Sequence, residues 1–166
     1  MPTQKRTPKP KAPKASRPQT PDYGITNKND GLLPWKWAVE RLTSARTYFL
    51  TTVRPDGRPH VMPLWGVWFK DAFYFSTGNT TVKARNLAAN PNCVLCPGDA
   101  DEAVIVEGVV EMDSNRPTLK RFAAEYLKKY KLDVSAMTEP IHAVRPRVVF
   151  GQIEKTFTQT ATRWKF

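Results

Sequence analysis

The sequence predicts a mainly β protein, a small antiparallel barrel with short peripheral helices, on three observations. Residues 47–77 read as strands of period two joined by tight turns. Strand patterns outnumber helical ones along the chain. Strands and helices do not alternate one for one, as a doubly wound parallel sheet would require.

The elements follow in order. Folded structure is expected to start near Leu32, where Pro34 suits a first helical turn and Trp37, Arg41, Leu42 and Ala45 recur at helical spacing. Thr47 to Val53 is rich in β-branched and aromatic residues and runs into Arg54-Pro55-Asp56-Gly57, a turn in which Pro presets one angle and Gly accepts a positive one. A second strand is predicted from Pro59 to Trp68 and a third from Ala72 to Thr77, across a Lys70-Asp71 turn. Thr80 or Thr81 caps a short helix through Leu87, which Asn90-Pro91 stops. Cys93–Cys96 and Ala103–Met112 read as strands joined by an acidic turn. Ser114 is the expected cap of a longer helix whose Leu119, Phe122, Tyr126 and Tyr130 form one apolar stripe. Residues 132–145 read as a loop, Val148–Thr156 as a sixth strand and Ala161–Phe166 as a short closing one.

Charge divides the chain. Of its 26 Lys and Arg, six (Lys5, Arg6, Lys9, Lys11, Lys14 and Arg17) fall in residues 1–21 without any acid. The other 145 residues hold 20 basic and 15 acidic side chains, a net +5. Six prolines and three apolar residues in that first stretch cannot offset ordering entropy by burial. Residues 1–31 are therefore expected to be a disordered basic tail and 32–166 one domain. The tail's partner, if it has one, is nucleic acid or an acidic protein, although no aromatic ring is there to stack on a base. No apolar run approaches the roughly 18 residues of a membrane span, so the expected location is the cytoplasm. Two cysteines make no disulfide framework.

The chemistry concentrates between Tyr48 and Cys96. A strand ends at Ser76-Thr77, a Gly-Asn-Thr-Thr loop follows, and a helix opens with Lys83 and Arg85 in its first turns. Backbone N–H groups at a helix start, several hydroxyls and a lysine within one turn can hold a phosphate. An ordinary capped surface helix would carry the same residues. The preceding strand, His60-Val61-Met62-Pro63-Leu64-Trp65, keeps large apolar groups on its outer side in either register. An apolar wall beside a phosphate cradle suits a planar ring with a phosphate tail, and it equally suits a subunit interface.

Together, Tyr48–Val53, Pro55-Asp56-Gly57, Pro59–Trp65, Phe73-Tyr74-Phe75-Ser76-Thr77, Lys83-Ala84-Arg85-Asn86-Leu87 and Asn90-Pro91 resemble the pyridoxamine 5'-phosphate oxidase-like, flavin-binding split-barrel superfamily. The resemblance covers roughly residues 34–155, and Thr162–Phe166 is similar to the ending of bacterial members. It implies a homodimer of six-stranded split barrels with two cofactor sites at the interface. It also implies a flavin-dependent oxidoreductase that binds FMN and transfers hydride or electrons to a small substrate. By position, His60, Val61, Met62, Pro63, Leu64 and Trp65 would lie along the flavin ring. Ser76 and Thr77 would face the ribityl and phosphate side, with Thr81 and Lys83 on the phosphate and Asn86 behind it. Arg163 and Trp164 would reach the partner chain's ring.

Departures narrow the likeness. Val82 and His60 stand where pyridoxamine phosphate oxidases carry arginines, and their C-terminal arginine and histidine motif has no match. The closer likeness is to the flavin/deazaflavin oxidoreductase branch, some of whose members use FMN and others the deazaflavin coenzyme F-420. A third reading is a protein without turnover that carries a flavin or a tetrapyrrole.

Single residues have plainer readings beside these. His60 could donate a proton near the ring, or bond at a strand end. His142 falls in the expected loop and reads as solvated. Cys93 and Cys96 lie three apart in a strand pattern and face opposite ways, which is structural spacing. Trp35 and Trp37 cannot share a helix face, so one of them is expected at an interface or under the tail. Asp99, Asp101 and Glu102 read as a solvated turn rather than a metal site.

Overall fold

The structure is a computed structural model that describes residues 12–20 and 22–166. It is mainly antiparallel sheet with short helices. The order is β1 (Lys14–Ser16), α1 (Trp35–Ser44), β2 (Tyr48–Val53), β3 (Pro59–Leu64), β4 (Val67–Phe69), β5 (Ala72–Ser76) and α2 (Val82–Ala89). Next come β6 (Asn92–Pro97), β7 (Glu102–Asp113), α3 (Arg116–Tyr130), β8 (Ile141–Ile153), a single 3₁₀ turn, α4 (Phe157–Thr160) and β9 (Thr162–Lys165). No helix among the described residues is long and apolar enough to cross a membrane.

The turns form where the sequence chemistry allows. Gly57 takes φ +84° and donates to the Arg54 carbonyl, closing the β2–β3 hairpin. Lys70 and Asp71 both take positive φ, the twist that suits a two-residue hairpin between β4 and β5. Thr81 caps α2 by accepting the Ala84 N–H. Asn115, one residue beyond the expected Ser114, caps α3 by accepting the Thr118 N–H.

Among the described residues the sheet counts nine strands where six were expected, and it does not close. Its path is β1-β9-β8-β7-β6-β2-β3, with β4 and β5 joined to it through β8. The thirteen-residue β8 pairs with β7 along one edge. Its other edge is shared, Phe73 of β5 opposing Val144 and Trp164 of β9 opposing Val149. Arg147 is the extra residue of a bulge opposite Glu107 and Gly108, and such a bulge lets one long strand serve two neighbours. The predicted strand from Pro59 to Trp68 is broken at Trp65-Gly66, and β3 and β4 each pair on one side only. A Cβ on Gly66 would run into the Phe73 ring and come within 2.5 Å of the Tyr74 carbonyl oxygen, so the chain crosses this seam only as glycine.

Two apolar layers result. Tyr48, Leu50, Phe73, Phe75, Leu95, Val106, Val144, Val149 and Trp164 fill the inside of the curled sheet, with Ala38 and Leu42 of α1 above them. On the other face of β4, β5 and β8, Val67, Phe69, Tyr74 and Ala143 pack against Phe122 and Tyr130 of α3.

Several expectations change. The tail was expected to run through residue 31, yet Lys14–Ser16 pairs with Lys165–Arg163 of β9, covering an edge that would otherwise be open. Residues 1–11 and 21 lie outside the described residues. His142 is not in a solvated loop: β8 begins at Ile141, and the imidazole is 6% exposed. Pairing with β5 and β7 on both edges recruits residues whose local sequence reads as loop. Both Trp35 and Trp37 are half-buried. The first meets Trp68, Trp164 and Phe166 edge-on, and the second lies under the Arg41 guanidinium at 4.2 Å. Cys93 is buried in the core and Cys96 half-buried, and burial pushes the Cys93 thiol up to about 12. Asp99 accepts from the Asp101 and Glu102 N–H groups of its own turn, while Glu102 pairs with Arg41 at 2.7 Å.

Candidate functional site

The end of β3, the end of β5 and the start of α2 meet α3 and the loop that follows it in a cleft of about 490 Å³. Leu64, Trp65, Ser76, Thr77 and Lys83, all expected at a site, line it together. The hairpin register explains this convergence. β3 runs out at Leu64, and β5 delivers Ser76-Thr77 to the helix that carries Lys83.

One end is polar. Thr77 is buried, with its hydroxyl 3.0 Å from that of Thr81, and Thr81 is committed to capping α2. Ser76 donates to the Pro140 carbonyl at 3.1 Å. Lys83 is half-buried and has no carboxylate partner among the described residues. Behind them Asn86, 2% exposed, donates to Thr52 Oγ1 at 2.9 Å, and His60 Nδ1 lies 3.5 Å from that same oxygen. Asn86 therefore holds α2 against β2 rather than facing the cleft. His60 is half-buried and does not line it.

The rest of the wall is apolar. Phe122, Tyr126, Leu132, Val134 and Met137 complete it, and Glu139 adds an acid. Sequence reasoning placed Phe122 and Tyr126 in a core stripe and did not single out the others. The run of Leu132, Val134 and Met137 in a segment read as loop was the available signal, since a solvated loop has no use for three large apolar groups. Trp65 stacks on Tyr130 at 4.8 Å and 7°, with the Arg46 guanidinium 5.3 Å above its ring.

The seam below Trp65 is held from α3. Tyr130 Oη lies 2.9 Å from both the Gly66 and Arg46 carbonyl oxygens, which share its one proton, and receives the Gly66 N–H, while Lys129 donates to the Gly66 carbonyl and to Tyr48 Oη. Burial holds the Lys129 amine down to about 8 and raises the Tyr48 phenol.

Other expected residues lie elsewhere. Val61 and Pro63 point outward with Phe49, and Val61 is 55% exposed. Met62 is exposed on the opposite face of β3, across from Leu50. Arg163 sits at the β1–β9 edge, its Nε 3.4 Å from Ser16 Oγ and outside the cleft. Trp164 is wholly buried, so it packs the core and reaches no partner's ring.

No curated protein matches the chain. Among solved structures, a conserved hypothetical protein from Mycobacterium tuberculosis is 21% identical, with a TM-score of 0.65 over 75% of this chain and 88% of that one. A heme binding protein from Mycobacterium smegmatis is 16% identical, with a TM-score of 0.58 over 78% and 62%. These two likenesses are of fold. An F-420 reductase is 27% identical, with a TM-score of 0.53 over 66% of this chain and 93% of that one. The sequence profile described as Pyridoxamine 5'-phosphate oxidase matches residues 36–157, and by that match the chain belongs to this family of split-barrel proteins.

Proposed function

We propose that this protein is a flavin-dependent oxidoreductase that binds FMN in the cleft between β3, β5 and α2 and acts as a homodimer on a small-molecule substrate. The observation that carries this reading is the meeting of hydroxyls and a free lysine at one end of the cleft with Leu64, Trp65 and the α3 aromatics along the rest. A phosphate has donors at the first and a planar ring has surface at the second. Lys83 would supply a charge-assisted bond to the phosphate. Thr77 and Ser76 would orient the chain between phosphate and ring. Trp65, fixed by Tyr130 and Arg46, would set the floor and keep water away. The bound flavin supplies hydride or electron transfer, chemistry the side chains lack. The departures at Val82 and His60 weigh against oxidation of pyridoxamine phosphate itself.

Phe49 and Val61 are each more than 40% exposed and share the outward face of β2 and β3 with Pro63, an apolar strip that a second subunit would cover. The deazaflavin coenzyme is the second reading, favoured by the 27% identical F-420 reductase. The heme binding neighbour keeps a carrier of tetrapyrroles as the non-enzymatic form. Titration of the purified protein with FMN, followed by fluorescence quenching, tests the first reading. Saturation at one FMN per subunit is expected. Saturation by the deazaflavin alone selects the second reading, and binding of neither removes the phosphate cradle.

A further inference from the structure

Beyond the basic stretch at its start, the chain gathers its net charge on one helix. Residues 22–166 hold 20 basic and 15 acidic side chains, and residues 116–131 alone hold six of the basic ones against one acid, which leaves the remainder balanced. α3 divides these residues sharply between two faces. Phe122 and Tyr130 are buried, with Leu119 and Tyr126 packed beside them. Arg116, Lys120, Arg121, Leu127, Lys128 and the C-cap Lys131 are exposed, and the helical repeat sets them on one arc of about 140°.

No acid lies on this arc. Glu125, at its rim, pairs with Arg121 at 3.9 Å, while Arg116, Lys120, Lys128 and Lys131 pair with no carboxylate among the described residues. The acids that flank α3 in sequence are used in their own turns, Asp113 accepting the Asn115 N–H and Asp133 the Ser135 N–H. Helix stability explains only part of the pattern. The macrodipole favours Lys128 in the last turn, but it favours acids in the first, where Arg116 stands and no acid is present. The helix gains nothing from a cation there.

We propose that this face of α3 is a docking surface for an anionic lipid bilayer. Its shape and chemistry favour the bilayer over other polyanions. The face is convex and, over 15 residues, about 22 Å long, so a flat charged layer meets all of it at once. Leu127, 45% exposed among the cations, gains by entering the boundary between headgroups and acyl chains, and a phosphate backbone offers it nothing. No aromatic ring lies on the face to stack on a base. None of the face's residues lines the cleft, and the surface stands whether or not the cleft binds a flavin.

Cosedimentation with vesicles of phosphatidylcholine and phosphatidylglycerol in equal parts tests the proposal. The basic stretch at the start of the chain also attracts anions, so the reference is the full chain carrying Lys5→Gln, Arg6→Gln, Lys9→Gln and Lys11→Gln. This reference is expected to bind the mixed vesicles, to release them as salt rises, and to ignore vesicles of phosphatidylcholine alone. Adding Arg116→Gln, Lys120→Gln, Lys128→Gln and Lys131→Gln should lower partitioning by about a hundredfold or more, roughly fivefold for each cation near the surface. All four are exposed and unpaired, so thermal unfolding should stay nearly unchanged. Leu127→Gln should lower partitioning about tenfold without altering its salt dependence. A reference chain that fails to bind, or that binds equally after the four α3 substitutions, would overturn the proposal. So would indifference to Leu127→Gln, or tighter binding to a mixed-sequence DNA duplex than to the vesicles, which would assign the face to nucleic acid.

Discussion

Lys83 is the residue on which the proposed cofactor site turns. A half-buried ammonium that forms no ion pair among the described residues gains when an anion arrives. Lys83→Ala is expected to weaken FMN binding by about 1.5–3 kcal/mol, the range for a bond to a charged group, as read by fluorescence titration. An unchanged affinity would remove Lys83 from the phosphate. Trp164 shows the opposite case, a side chain whose chemistry suggests a site and whose burial forbids it. Its ring buries about 150–250 Å², worth roughly 4–6 kcal/mol. That outweighs the cost of about 1–3 kcal/mol for the indole Nε1–H, which has no partner among the described residues. Packing wins, and the tryptophan belongs to the core.

At the scale of elements, the end of α3 closes the seam that the sheet leaves open. Lys129 and Tyr130 both bond the Gly66 carbonyl, so one helix end holds the β3–β4 break and, through the Trp65–Tyr130 stack, one wall of the cleft. This latch carries a pH signature. Lys129 titrates at about 8 folded and at its ordinary 10.5 unfolded, so the unfolded chain holds more protons between those values and stability rises with pH across that window. Cys93 works the other way. Its thiol is raised from 9.0 to about 12, and the stability it contributes is present below 9.0 and lost as pH climbs towards 12. Tyr48, also raised, adds to that loss above 10.0. Urea denaturation as a function of pH should therefore show a gain above pH 8 that levels off beyond 9 and gives way to a fall beyond 10. In Lys129→Met the gain should vanish while the fall remains. A gain that persisted in the variant would place its source elsewhere.

For the whole molecule, two edges matter. The first is covered by the chain itself. β1 pairs with β9, and Arg17 then donates to the Lys28, Asp30 and Ala161 carbonyls, tying the N-terminal segment to the end of the chain. Arg17→Ala is expected to lower unfolding free energy by about 1–2 kcal/mol, measured in urea, because three carbonyls lose a charged donor but regain water. The second is the apolar strip on β2 and β3. Val61→Glu places a charge in the centre of that strip and is expected to yield monomers in light scattering while leaving the thermal unfolding of each subunit nearly unchanged. A dimer that survived the substitution would move the interface to another face.

Much of this was legible in the residues. The period-two runs at Thr47–Val53 and Ala72–Thr77, Pro-Asp-Gly and the Thr80-Thr81 pair act over a few residues, and they became strands, a turn and, at Thr81, a helix start, whereas the run from Pro59 to Trp68 was split at Trp65-Gly66. The grouping at the cleft's polar end was legible for the same reason: Ser76, Thr77 and Lys83 are neighbours in sequence, joined by one strand end and one helix start that Thr81 caps. What only the tertiary structure decided depends on partners far along the chain. Lys14–Ser16 and Ile141–Arg147 have weak strand character of their own and are strands because β9, β5 and β7 offer them hydrogen bonds. The burial of Trp164 and His142, the seam at Gly66 and the apolar half of the cleft arise the same way. A one-dimensional pattern records which groups are apolar or charged, but whether a group is covered depends on what the fold brings against it from elsewhere.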